Sequence, residues 1–106
     1  MKLVAVSQRI DSHPNRKELR DALDQRLVTF LLLAGFTAAP VPNCLYMQTP
    51  SRSQTHKALD DWLTAIRPAA IVLSGGNDIG QYALRDLTEC WLLDFAKAKH
   101  LPVLGI

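Results

Sequence analysis

The apolar residues of this chain come in blocks that alternate between two spacings, short continuous runs and longer stretches of period three to four. "KLVAV" (2–6) is a β-branched run that ends in the polar "SQR", and it predicts a first strand over 2–7. "IDSHP" then reads as a turn-rich loop leading to Asn15, which with Glu18 three residues later has the form of a capping box. Leu19, Ala22, Leu23, Leu27, Phe30, Leu31 and Ala34 follow at helical spacing, predicting a helix over 16–34 that stops at Gly35, a good residue just past a helix end. "FTAAPVP" predicts a strand over 37–41; Pro40 and Pro42 cannot donate to a ladder, so it should be short or lie at a sheet edge.

After a patternless loop, "NCLYMQTPSRSQ", a second helix is predicted over 55–66 with Leu59, Trp62, Leu63 and Ile66 on one face, closed by Pro68. "AAIVLSGG" gives the clearest strand, over 69–74. Its unbroken apolar run suits a strand covered on both faces. A third helix over 85–99 carries Leu87, Trp91, Leu92, Phe95 and Ala96 as its stripe, and "LPVLGI" (101–106) reads as a short buried fourth strand over 102–106. Strand and helix alternate throughout, which is the pattern of βαβ units in a doubly wound parallel sheet with helices on both faces. With no repeat or linker, residues 1–106 read as one domain. No helix follows the fourth strand to cover it, so the expectation is the N-terminal half of a larger α/β domain.

Composition narrows the function classes. The 106 residues are 48% hydrophobic and 21% charged with a formal net charge of +2, as in a small globular domain. Basic residues outnumber acidic ones only 12 to 10 and interleave with them, as in "RKELRDALDQR", which gives no nucleic-acid footprint. "MKLVAVSQR" is too short an apolar stretch for a signal peptide, and no run reaches membrane-spanning length; the expected compartment is the cytoplasm. Cys44 and Cys90 make no disulfide framework or metal pattern, and Cys90, inside a helix, is expected to be a small buried hydrophobe. His13, His56 and His100 are scattered, so no metal site is expected.

In open α/β sheets ligands bind beyond the carboxyl ends of the strands, which here carry "SQR" (7–9), "SGGND" (74–78) and the residues after "LGI". Ser74-Gly75-Gly76 admits two readings, a simple tight turn or a turn whose unhindered N–H groups face the cleft and stabilise an oxyanion. Neither a dinucleotide nor a P-loop fingerprint is present. Asp86 and Glu89 have capping-box spacing, which accounts for both acids as helix-start residues but leaves Arg85 unexplained.

"VLSGGNDIG" followed by "RDLTECWLLDFAKAKHLPVLGI" resembles the class I glutamine amidotransferase-like superfamily, in its γ-glutamyl hydrolase (γ-glutamyl-γ-aminobutyrate hydrolase-like) branch. There a Gly-Gly-x-Asp turn precedes an Arg-Asp-x-x-Glu helix start and a Pro-x-Leu-Gly-Ile strand that runs into a cysteine nucleophile turn. The likeness is close over 71–106 and loose elsewhere. "SQRIDSHPNRKELRDALDQRL" is also similar to a bacterial subgroup tied to surface-polysaccharide genes, including hydrolases of γ-glutamyl nucleotide amidates. The resemblance implies a flavodoxin-like fold and hydrolysis of a γ-glutamyl amide through a cysteine thioester, without metal or organic cofactor. It implies an oxyanion-hole N–H from Gly76, with Gly75 shaping the turn. It also puts Asp78, Arg85 and Asp86 at positions that hold the cleft loop, and Gln8 and Arg9 are further cleft-shaping or substrate-binding candidates. The family's cysteine would come next after Ile106 and its histidine later, so no catalytic residue is expected within 1–106, and this segment alone is expected to be inactive. The expected partners are a small-molecule γ-glutamyl substrate and, at most, a second copy of the chain, with no nucleic acid and no membrane. The rival is a non-catalytic flavodoxin-like module that holds an anion or small molecule with Arg9, Arg16 and the Gly75-Gly76 turn.

Overall fold

The computed structural model describes residues 2–46 and 56–106. Four strands, β1 (Lys2–Val6), β4 (Phe36–Pro40), β5 (Ala70–Leu73) and β6 (Val103–Gly105), form one parallel sheet in the order β4-β1-β5-β6. Helices flank it on both faces, giving an α/β architecture of the flavodoxin-like kind. Alternation along the central strands divides the core into two layers. Ala5 and Ile71 point to one side, where they meet Leu59 and Leu63 of α2 (Lys57–Ile66) and Leu92, Phe95 and Ala96 of α3 (Ala83–Lys99). Val4, Val6 and Val72 point to the other, against Leu31 and the partly buried Leu27 of α1 (Gln25–Leu33). Each fully buried Leu or Ile contributes about 1.5–3 kcal/mol by leaving water. The first layer, with Leu59, Leu63, Ile71 and Leu92 wholly enclosed, is the larger. β4 lies at the edge, where Pro40, which has no N–H to donate, is tolerated.

The N-terminal third differs from the expected helix over 16–34. Residues 9–22 form an antiparallel ribbon of β2 (Arg9–His13) and β3 (Glu18–Ala22), joined by a 3₁₀ turn over Pro14–Arg16 and closed by Lys17 in the left-handed conformation. "IDSHP" is therefore largely strand, and Asn15 and Glu18 do not cap a helix. α1 begins at Gln25, capped by Asp24, whose carboxylate accepts the Arg26 N–H at 2.8 Å. The ribbon is extended because distant side chains satisfy its backbone: Asn77 accepts from the Ile10 N–H at 2.7 Å and donates to the Ile10 carbonyl at 3.1 Å. Asp21 accepts from the Asn43 N–H and side-chain amide. Leu19 and Phe30, expected on the helical stripe, are exposed.

Other expectations are corrected in detail. Cys90 is exposed, because the buried face of α3 runs through Arg85, Thr88, Leu92, Phe95 and Ala96 and position 90 points away from it. α3 starts at Ala83, so Asp86 and Glu89 do not form a capping box. β6 pairs with β5 at the far edge, and Leu104 and Ile106 are 46% and 65% exposed, as expected of a strand without a covering helix, since α1 packs over β1 and β5. The loop beyond Tyr46 and the expected helix start at residue 55 lie outside the described residues.

Candidate functional site

From β1 the chain reaches β4 on one side and β5 on the other, so the carboxyl ends of β1 and β5 flank the point where strand order reverses. Two serines end these strands, and both are buried. The Ser7 hydroxyl accepts the Ser74 N–H at 2.9 Å and donates to Glu89 at 2.7 Å, while the Ser74 hydroxyl donates to the Ser7 carbonyl at 2.6 Å. The two strand ends are thus stapled by side chains beyond the last ladder pair.

Arg85 lies beneath this staple, 3% exposed. Its guanidinium donates to the carbonyls of Ser74 at 2.6 Å and Gln8 at 3.2 Å, approaches that of Asn77 at 3.5 Å, and pairs with Glu89 at 3.1 Å. The planar fork suits this task, since it reaches several acceptors with one desolvated charge, and Glu89 one helical turn on balances that charge. Arg85 therefore holds the loops after β1 and β5 from below. Gln8 belongs to the same frame: its side chain donates to the Val41 carbonyl at 2.9 Å.

Above the frame lies a cavity of about 510 Å³, lined by the turn Ser74-Gly75-Gly76, by Arg9 and Asp11 of β2, and by Leu23, Asp24 and Leu27. Gly76 has φ +137°, and a Cβ built on it would lie 2.8 Å from Arg9 Cβ and Cδ. The glycine thus gives both the backbone conformation and room for the Arg9 stem. Neither the Gly75 nor the Gly76 N–H donates to another group among the described residues, and both glycines are exposed. Gly75 also borders the end of β6, for a Cβ on it would meet the Ile106 carbonyl oxygen at 3.7 Å.

Charge around the cavity is mixed. Arg9 Nε donates to Asp11 at 2.8 Å. Asp24 is held by Arg26, whose hydrogen bonds lower its pKa from 3.8 to about 2. Among the described residues no group of three or more His, Cys, Asp or Glu side chains is placed to hold a metal ion, and no helix is long and apolar enough to cross a membrane.

Of the residues singled out in the sequence, Arg9, Gly75 and Gly76 line the cavity, and Gln8 and Arg85 support it. Asp86 accepts the Gly80 N–H at 2.8 Å and pins the loop between the glycine turn and α3, while Asp78 is exposed and does not line the cavity. Sequence reasoning missed Ser7, Asn77 and Glu89 in the frame and Asp11 and Asp24 in the wall. The polar residue that ends each apolar run, Ser7 and Ser74, was the available signal. Comparison with family models and with curated proteins returns no match.

Proposed function

We propose that this chain carries the substrate cleft of a cysteine-dependent hydrolase of γ-glutamyl amides, related to the class I glutamine amidotransferases. The observation that supports it is the pair of unengaged N–H groups at Gly75 and Gly76, set against the end of β6. In the family that the sequence resembles, the nucleophilic cysteine follows this strand. A thiolate there attacks the γ-carbonyl carbon, the carbonyl π electrons move to oxygen, and the glycine N–H groups stabilise the oxyanion. Collapse expels the amine, which takes a proton from an imidazolium, and water hydrolyses the thioester to release glutamate. The residues described here supply the oxyanion turn, its rigid support through Arg85, Glu89, Ser7 and Ser74, and one wall of the cleft. No metal or organic cofactor enters this chemistry. A cytoplasmic setting, where thiols stay reduced, belongs to the same proposal.

The test uses the protein translated from its complete reading frame. Incubated with a γ-glutamyl amide, it should release glutamate, and iodoacetamide should abolish the release. Tight binding of the amide or of an inorganic anion with no glutamate formed would instead favour a non-catalytic binding module, a reading to which the free N–H groups and Arg9 also lend themselves.

A further inference from the structure

The Arg9–Asp11 pair has the outward form of an ordinary surface ion pair, which contributes little to stability. Its position sets it apart. The stem of Arg9 runs through the space that a Gly76 Cβ would fill, which fixes the guanidinium beside the turn and on the wall of the cavity. Only Nε is engaged, by Asp11 Oδ1. The two Nη groups of Arg9 and Oδ2 of Asp11 have no partner among the described residues. One cationic and one anionic edge therefore stand side by side on the cavity wall, two residues apart on one strand.

We propose that Arg9 and Asp11 form the subsite that reads the α-amino-acid head of a γ-glutamyl conjugate. This rests on the hydrolase reading above and assigns it specificity-determining residues. The α-carboxylate accepts from the Arg9 Nη groups, and the α-ammonium donates to Asp11 Oδ2. A zwitterion is the electrostatic complement of a guanidinium–carboxylate pair, and both contacts are charge-assisted. A purely anionic ligand such as phosphate fits less well, because it would leave Asp11 Oδ2 beside it with no positive group to match. Asp24 cannot substitute for Asp11, since both its oxygens are taken by Arg26. Leu23 and Leu27 provide apolar surface for the methylenes that lead from the head to the γ-carbonyl, and the Gly75-Gly76 turn with its free N–H groups lines the same cavity beside Arg9.

The decisive experiment is calorimetric titration of the protein, wild type and variants, with three probes: γ-L-glutamyl ethylamide, its decarboxylated analogue 4-amino-N-ethylbutanamide, and its deaminated analogue N-ethylglutaramic acid. Arg9→Met keeps the stem over Gly76 and removes the charge. It should weaken γ-glutamyl ethylamide about tenfold to a hundredfold, as expected for a lost charge-assisted hydrogen bond, and leave the decarboxylated analogue unchanged. Asp11→Asn should weaken γ-glutamyl ethylamide similarly and leave the deaminated analogue unchanged. Arg9→Lys, which retains stem and charge, should lose less than Arg9→Met. Equal losses for all probes, no loss for any, or wild-type binding of inorganic phosphate in preference to γ-glutamyl ethylamide would overturn the assignment. Failure of the hydrolase reading looks different: the probe pattern persists while no glutamate is released. Conversely, glutamate release with KM unaltered by Arg9→Met removes the subsite and leaves the hydrolase intact.

Discussion

The Arg9 side chain occupies the volume that a β-carbon on Gly76 would need, with Arg9 Cβ and Cδ only 2.8 Å from that point. The ribbon and the glycine turn interlock there, so a change on one side has consequences on the other.

Gly76→Ala should destabilise the protein by about 1–3 kcal/mol, combining strain at a positive φ with the clash against Arg9. Arg9→Ala in the same background removes the contact with Cδ but keeps the one with Cβ, so it should recover only part of the clash and none of the strain. Urea unfolding of the four members of the cycle measures the coupling, and strict additivity would mean that the two side chains do not compete for space.

Removing Arg85 should cost far more than removing any surface arginine. Arg85→Met leaves the Ser74 and Gln8 carbonyls and Glu89 without their donor in a buried setting, an expected loss of about 3–5 kcal/mol. Arg85→Lys should rescue little, since a single ammonium cannot span acceptors on three segments. A denaturation midpoint for Lys close to that of the wild type would contradict this account.

Ser7→Ala should act locally on the staple between the strand ends. It leaves the Ser74 N–H unpaired and Glu89 without the Ser7 hydroxyl, with an expected loss of about 1–3 kcal/mol. Amide exchange should accelerate at Ser74 more than at Ile71 and Val72, a difference that native-state exchange followed by NMR can read directly.

The Asp24 carboxyl gives a pH signature. Its folded pKa is depressed from 3.8 to about 2 by Arg26, so its contribution is present above the unfolded value and is lost as pH falls from about 4 through about 2. Asp24→Asn, which keeps a cap acceptor but loses the charge, should lower stability at neutral pH and match the wild type below pH 2. Parallel acid titrations by circular dichroism should therefore converge, and curves that stay separated throughout would assign the effect to something other than charge.

The sheet and its two larger helices are legible in the sequence because their stabilisation is local in pattern: "KLVAV" and "AIVL" are unbroken apolar runs, and Leu59, Leu63, Leu92, Phe95 and Ala96 recur at helical spacing and are buried together. Gly35 ends α1 with φ +93°, as its position suggested. The ribbon is illegible for the opposite reason. Its hydrogen-bonding partners are side chains 67 and 22 positions away, and Leu19, Ala22 and Leu23 happen to continue the period of α1. The cleft wall formed by Asp11 and Asp24 was hidden with it. Gly75, Gly76, Arg9, Gln8 and Arg85 were within reach of sequence reading, yet nothing in the sequence distinguishes Gln8 and Arg85, which brace the cleft, from Arg9, which faces it.

The ribbon is fastened to the sheet chiefly by the two clasps from Asn77 and Asp21, with Ile10 its one deeply buried apolar residue. Polar fastenings exchange readily with water, whereas the strands beneath are sealed by two apolar layers. Amide exchange in the ribbon should therefore need less free energy than exchange in β1 and β5. A ligand that touched both the ribbon and the glycine turn would slow that exchange, because it would add contacts that the opened ribbon loses.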